Sequence, residues 1–223
     1  MLNGSKSIFA FATAAVRNSV NGNEFVNLIK TQTGINLEVV SGEVEAELAS
    51  IGATDGEDGG VIDIGGASTE IIIKQNGKTQ YSVSYPIGAV NLREKWLTAS
   101  QTAEYLSSLI KGVKIAFKGS FTAIGGSSLT LTAMALGLET YNPEKTHKTY
   151  LSKSKVSTLC DELSSLSADE ITKKYPFAKN RANYIACGAA ILLAVMNAFN
   201  LEGVYASEND NLEGYLKYLT YEK

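Results

Sequence analysis

One aspartate sits inside an apolar run and is followed at once by small residues and hydroxyls. Val61-Ile62-Asp63-Ile64 leads into Gly65-Gly66-Ala67-Ser68-Thr69 and then Glu70. A carboxylate in an apolar strand is costly unless it is paired or bound to a cation. Small residues let backbone N–H groups approach an anion closely, and Ser68 and Thr69 add hydroxyl donors. Asp63 beside such a turn suits Mg²⁺, a hard cation that takes carboxylate, water and phosphate oxygens, with Glu70 in reach of the same site. The plain alternative is a hairpin closed by a tight glycine turn.

Two further segments carry candidates. Val39 to Leu48 (VVSGEVEAEL) is a strand ending in a Ser-Gly turn, followed by Glu43, Glu45 and Glu47 at the opening of a helix. Acidic residues there are also what the helix dipole favours. In Ala12 to Gly22 (ATAAVRNSVNG) a strand end presents Thr13 and then Arg17, whose planar fork suits a phosphate clamp. On spacing alone Arg17 reads first as a surface arginine.

Composition removes competing chemistries. The chain has 223 residues, one histidine, two cysteines and a net charge of −3. A Ser-His-Asp triad needs its histidine beside a buried acid, and a two-histidine metal centre needs a second one. His147 lies in a polar stretch, Asn142 to Lys148, and reads as a solvated loop residue. Cys160 and Cys187 are too few and too far apart for a disulfide framework, which points to a reducing compartment. The charge balance gives no sequence-independent attraction to nucleic acid, so a polyanion must be held by a local patch. Lys173, Lys174, Lys179 and Arg181 form the dense basic cluster. The most apolar stretch, Tyr184 to Phe199, is too short to span a bilayer and reads as a buried helix. With no leader pattern at the N-terminus, the expected location is cytoplasmic, away from membranes.

The order of elements argues for an α/β fold. Ile8 to Thr13 and Leu37 to Val40 read as strands, with helices over Asn23 to Thr33 and after Ser41. Residues 52–60 (GATDGEDGG) read as a hinge between a region 1–55 and a region 56–223. Beyond it come strands at 61–64, 68–74 and 80–85, with Asn76-Gly77 as a hairpin turn. Then follow a helix over 100–114, a strand at 121–124, a turn at 125–128, helices to 199, a strand at 203–207 and a last helix at 212–219.

Taken together, ATxxxR, VxSGxxEA, VIDIGGxSTE, PIGAVNL (Pro86 to Leu92) and AIGGSS (Ala123 to Ser128) resemble, in this order, the exopolyphosphatase and guanosine pentaphosphate phosphatase family. That family belongs to the actin, sugar kinase and heat-shock chaperone superfamily. The resemblance covers about residues 7–219. It implies a ribonuclease H-like (actin-like ATPase) fold, with a truncated first domain (1–55) and one complete second domain (56–223). It implies Mg²⁺-dependent release of terminal phosphate from polyphosphate or guanosine pentaphosphate, or else a module that binds such ligands without turnover. By resemblance, Glu45 is the general base, Asp63 and Glu70 are catalytic residues that handle Mg²⁺, and Gly65, Gly66, Ala67, Ser68 and Thr69 cradle phosphate. Arg17 resembles a phosphate ligand.

The departures are specific. The family opens with its own phosphate loop of the type DxGSNS, and this sequence opens at what would be the middle of the first domain. A second copy in a homodimer, or a separate N-terminal fragment, is therefore an expected partner. Ala67 replaces a glycine, Val44 the first glutamate of SGxEEA, and Glu47 a basic residue. The C-terminal SDxGLREG-like segment reads Ser207-Glu208-Asn209-Asp210-Asn211-Leu212-Glu213-Gly214.

Overall fold

The computed structural model describes residues 7–95, 99–110 and 117–221. It divides into two compact units, 1–47 and 48–223. The first holds β1 (Ala10–Ala12), α1 (Ala14–Arg17), α2 (Gly22–Thr33), β2 (Leu37–Val39) and the start of α3 (Gly42–Thr54). β1 and β2 pair in parallel, Ala10 against Leu37 and Ala12 against Val39. α2 stops at Gly34, whose φ of 73° is the left-handed conformation that ends many helices. Apolar residues stand open here: Ile8 and Phe9 are each 54% exposed, Leu28 49% and Phe25 43%.

The second unit continues with β3 (Gly59–Ile64), β4 (Thr69–Gln75), β5 (Lys78–Tyr85), α4 (Ala89–Glu94), α5 (Ala99–Ile110) and β6 (Phe121–Ile124). There follow α6 (Gly125–Ala135), α7 (Pro143–Thr146), β7 (Tyr150–Ser152), α8 (Lys153–Ser165), α9 (Ala168–Lys174) and a 3-10 turn at Pro176–Arg181. α10 (Ile185–Ala198), β8 (Gly203–Ala206) and α11 (Asn211–Tyr221) complete it. The last turn of the helix expected over 100–114 lies outside the described residues.

Six strands form one mixed sheet in the order β5-β4-β3-β6-β8-β7. β3, β6 and β8 run parallel, while β4, β5 and β7 run antiparallel to their neighbours. Strand alternation sorts the side chains onto two faces. Ile62, Ile64, Ile71, Ile73, Phe121, Ala123, Leu151 and Val204 join one core with α10, whose Ile191, Leu192, Val195 and Met196 are fully buried. The opposite face carries Val61 and Ile72, equally buried. Burial on both faces is the pattern of a central α/β sheet. Among the described residues no helix is long and apolar enough to cross a membrane.

The structure corrects three details of the sequence reading. Residues 125–128 are the first turn of α6, not a free turn. β7 and α4, which the sequence did not signal, are present. His147 lies in a turn as expected but is only partly exposed, and its Nδ1 accepts the Glu208 N–H at 3.2 Å.

Candidate active site

In open α/β sheets, ligands gather at the carboxyl ends of parallel strands. Here those ends belong to β3, β6 and β8, and β3 delivers Asp63 there. Asp63 sits directly across the ladder from Glu70 on β4, so both carboxylates lie on one face as cross-strand neighbours. Both are partly exposed. Glu70 Oε1 accepts the Ser84 hydroxyl at 2.6 Å. Asp63 Oδ1 lies 2.9 Å from where a Cβ at residue 125 would stand, and Gly125 has φ +84°, so only glycine leaves this room.

The turn 65–68 between the two carboxylates has a polarised backbone. Its carbonyls are tied to the start of α4: Ala89 N–H donates to Gly65 O at 2.9 Å, and Val90 and Asn91 N–H donate to Gly66 O at 2.9 and 3.1 Å. The Asn91 side-chain amide donates to Ala67 O at 2.6 Å, and its own oxygen receives the Gly88 N–H at 2.7 Å. A side chain at Gly88 would collide with the backbone of Gly66 and Ala67, so this close approach needs glycine. Gly65 N–H closes the turn on Ser68 O at 3.0 Å. The N–H groups of Gly66, Ala67 and Ser68 have no hydrogen bond among the described residues, and Gly66 and Ala67 are exposed. Carbonyls held inward and amides left outward make a nest for an anion.

Thr69 takes a different place from its neighbours. It is 1% exposed and its hydroxyl donates to Ile87 O at 2.6 Å, so it fastens the turn to the segment before α4. Ala67 is absent from the positive-φ residues, so the methyl that replaces a glycine costs the backbone nothing.

The sequence did not single out Arg181. It grouped Arg181 with a surface patch, yet the structure packs its guanidinium against Gly126, where a Cβ would stand 2.1 Å from Nη2. Lys174, from the same patch, is instead paired with Glu162 at 2.8 Å. Arg181 has no ion-pair partner among the described residues. Its positive charge also faces Tyr141, whose hydroxyl, pushed up to about 12 chiefly by burial, donates to Glu208 at 2.5 Å. The Thr146 hydroxyl donates to the same Glu208 oxygen. The glycine pair of AIGGSS was the available signal, since adjacent glycines mark close approach as well as turns.

Arg17 and Glu45 belong to the first unit. Arg17 Nη1 donates to Glu45 Oε2 at 3.1 Å and to Val40 O at 2.7 Å. Ser41 caps α3 by accepting the Val44 N–H at 3.2 Å. That fixes the helix start one turn before Glu45. The structure thus gathers Asp63, Glu70 and the turn 65–69 in one unit, and Arg17 with Glu45 in the other.

Residues 3–219 match the model of the Ppx/GppA phosphatase family. The chain belongs to that family. It is 28% identical over 229 residues to a bifunctional 3-dehydroquinate synthase/phosphatase of Fusobacterium nucleatum, spanning 94% of this chain but 34% of that protein. It is 27% identical over 230 residues to exopolyphosphatase 2 of Mycobacterium tuberculosis, spanning 91% of this chain and 72% of the other. The crystal structure of the Aquifex aeolicus Ppx/GppA family member superposes with a TM-score of 0.86 at 26% identity, over 96% of this chain and 74% of that one. An exopolyphosphatase from Cytophaga hutchinsonii, at 23% identity and a TM-score of 0.81, shares the fold over 95% of this chain and 74% of that one. The α/β fold is therefore that of the actin-like ATPases, and the family is one of phosphatases.

Proposed function

We propose that this chain is a phosphohydrolase that releases terminal orthophosphate from inorganic polyphosphate, with guanosine pentaphosphate as the second substrate to be tested. The observation that carries the reading is the turn 65–68. Its carbonyls are stapled to α4, its amides face outward, and a carboxylate stands on the strand at each end.

The residues present fit a divalent cation of the Mg²⁺ type. Among the described residues no cluster of three or more potential ligands occurs, but Mg²⁺ is commonly held by one or two carboxylates and completes its shell with water and substrate phosphate. Asp63 and Glu70 would hold it, Glu70 through the oxygen that Ser84 leaves unengaged. When bound, the ion neutralises charge on the phosphoryl oxygens.

Phosphoryl transfer needs positioning and charge stabilisation more than covalent help from the protein. The amides of Gly66, Ala67 and Ser68 and the Ser68 hydroxyl bind the terminal phosphate in this reading. They are preorganised because α4 fixes the turn before any ligand arrives. Arg181 supplies a positive charge beside the start of α6 for phosphate further along the chain. Arg17 binds phosphate and Glu45 takes the proton from the attacking water, the roles that resemblance to the family implies.

Phosphate release from polyphosphate and from guanosine pentaphosphate, each with Mg²⁺, tests the reading. Removing one group aimed at developing charge costs roughly 10²–10³ in rate, so Asp63→Asn is expected to lose that much with either substrate. Binding of both ligands without release from the unaltered chain would overturn the enzyme reading in favour of a binding module.

A further inference from the structure

Arg17 has a second task that its role as a phosphate ligand does not include. Its Nη1 carries two hydrogens and both are used, one on Val40 O at 2.7 Å and one on Glu45 Oε2 at 3.1 Å. Val40 is itself fixed: it is 3% exposed, and its N–H extends the β1–β2 ladder by donating to Ala12 O at 3.0 Å. The guanidinium is therefore anchored to the buried end of a strand, and from that anchor it holds a carboxylate on the opening turns of α3. Both side chains keep only about a quarter of their surface, 28% for Arg17 and 23% for Glu45. The remaining nitrogens, Nε and Nη2, have no partner among the described residues, and they form the side-on fork that matches an oxyanion. Gly42 borders that edge, and even a Cβ there would stand 3.9 Å from Nη2, an ordinary contact distance.

We propose that Arg17 is a positioning residue for Glu45, with one nitrogen orienting the base and the opposite edge left to receive phosphate. This rests on the reading of Glu45 as the base. One rigid plane then sets the carboxylate and the phosphate in a fixed relation, which an in-line attack by water requires. Lysine cannot do the same: a single ammonium on a flexible stem has no planar fork to share between two fixed acceptors and an anion.

A double-mutant cycle on kcat for Mg²⁺-dependent phosphate release from polyphosphate is the test, using the full chain with Arg17→Lys, Glu45→Gln and the pair. If Arg17 acts through Glu45, Arg17→Lys lowers kcat about tenfold or more in the parent chain and less than about twofold on top of Glu45→Gln. Full multiplication of the two effects, with the Arg17→Lys loss confined to KM, would show an arginine that only binds phosphate and overturn the proposal. A Glu45→Gln chain with parental kcat would instead remove the base itself, which is visible in that single variant. Guanidinium ion added to Arg17→Ala gives an independent readout. It is expected to restore kcat when Glu45 is present and not in Arg17→Ala/Glu45→Gln, and equal rescue of both would also overturn the proposal.

Discussion

The two units hold their chemical groups on very different scaffolds. Asp63 and Glu70 hang on a sheet of six strands in which Ile62, Ile71, Ile72 and Ile73 are 0–1% exposed. Arg17 ends α1 and Glu45 opens α3 in a unit whose sheet has two short parallel strands and whose α2 leaves Phe25 and Leu28 43% and 49% exposed. Full burial of one such aliphatic side chain contributes roughly 1.5–3 kcal/mol. The second unit has many such contributions and the first has few. A site needs rigid support for its reacting groups. In the first unit that support comes from polar ties, Arg17 to Val40 and Ser41 to Val44, more than from a core.

Native-state hydrogen exchange should show this contrast most strongly. Local opening ranges from almost no cost up to the full unfolding free energy. Amides of β3 and β6 are expected to exchange only by global unfolding, and those of β1 and β2 at least about a thousandfold faster, roughly 4 kcal/mol less protected. Equal protection in both units would show that the ties of the first unit hold as firmly as a core. Paired truncations sharpen the point. Ile71→Ala should cost about 2–5 kcal/mol in denaturant unfolding. Phe25→Ala, at a half-open position, should cost under about 1 kcal/mol.

Thr69→Val should cost about 1–3 kcal/mol, because it strands the buried Ile87 carbonyl that Thr69 now satisfies. It also loosens one end of the turn that bears the free amides. Phosphate release should therefore fall along with stability. Lost stability with unchanged release would detach the turn from the chemistry and leave Thr69 as a core fastener only.

What the sequence revealed follows from how local each signal is. The hairpin was readable because Asn76 and Gly77 adopt positive φ, 54° and 69°, which few other residue pairs tolerate. β6 was readable from one apolar run bounded by turn residues. The turn 65–68 was legible as a composition, but its polarity was not. The bonds from Ala89, Val90 and Asn91 to the carbonyls of 65–67 join segments more than twenty residues apart, and no periodicity announces them. Gly125 and Gly126 read as a turn because glycine is a poor helix former. They open α6 with Asp63 and the Arg181 guanidinium packed against them, and Gly125 takes a φ of +84°. Arg181 was hidden for the same reason: sequence neighbours placed it among lysines, and the fold placed it on a glycine.

The smallest effect concerns the surface of the second unit, where charge and not burial does the fastening. Asp55 sits at φ 57° after α3, and its carboxylate meets Lys217 on α11 and Lys148 at 3.6 Å. The hydrogen bond from Lys217 holds the Asp55 carboxyl below the usual range, against some desolvation and with help from the charges of Lys217 and Lys148. A depressed carboxylate stabilises the fold above its unfolded pKa of about 3.9, and that stabilisation disappears as pH falls through the lower folded value. The side chain is 55% exposed, so solvent screens the pair and the whole contribution is about 1 kcal/mol or less. Asp55→Asn keeps a residue that accepts left-handed φ and removes only the charge. It should flatten the acid limb of the stability curve below about pH 4, and high salt should flatten the parent's limb in the same way. An acid limb that stays equally steep in Asp55→Asn would place the acid sensitivity in other carboxylates, with Glu162, lowered by its bond from Lys174, the next to substitute.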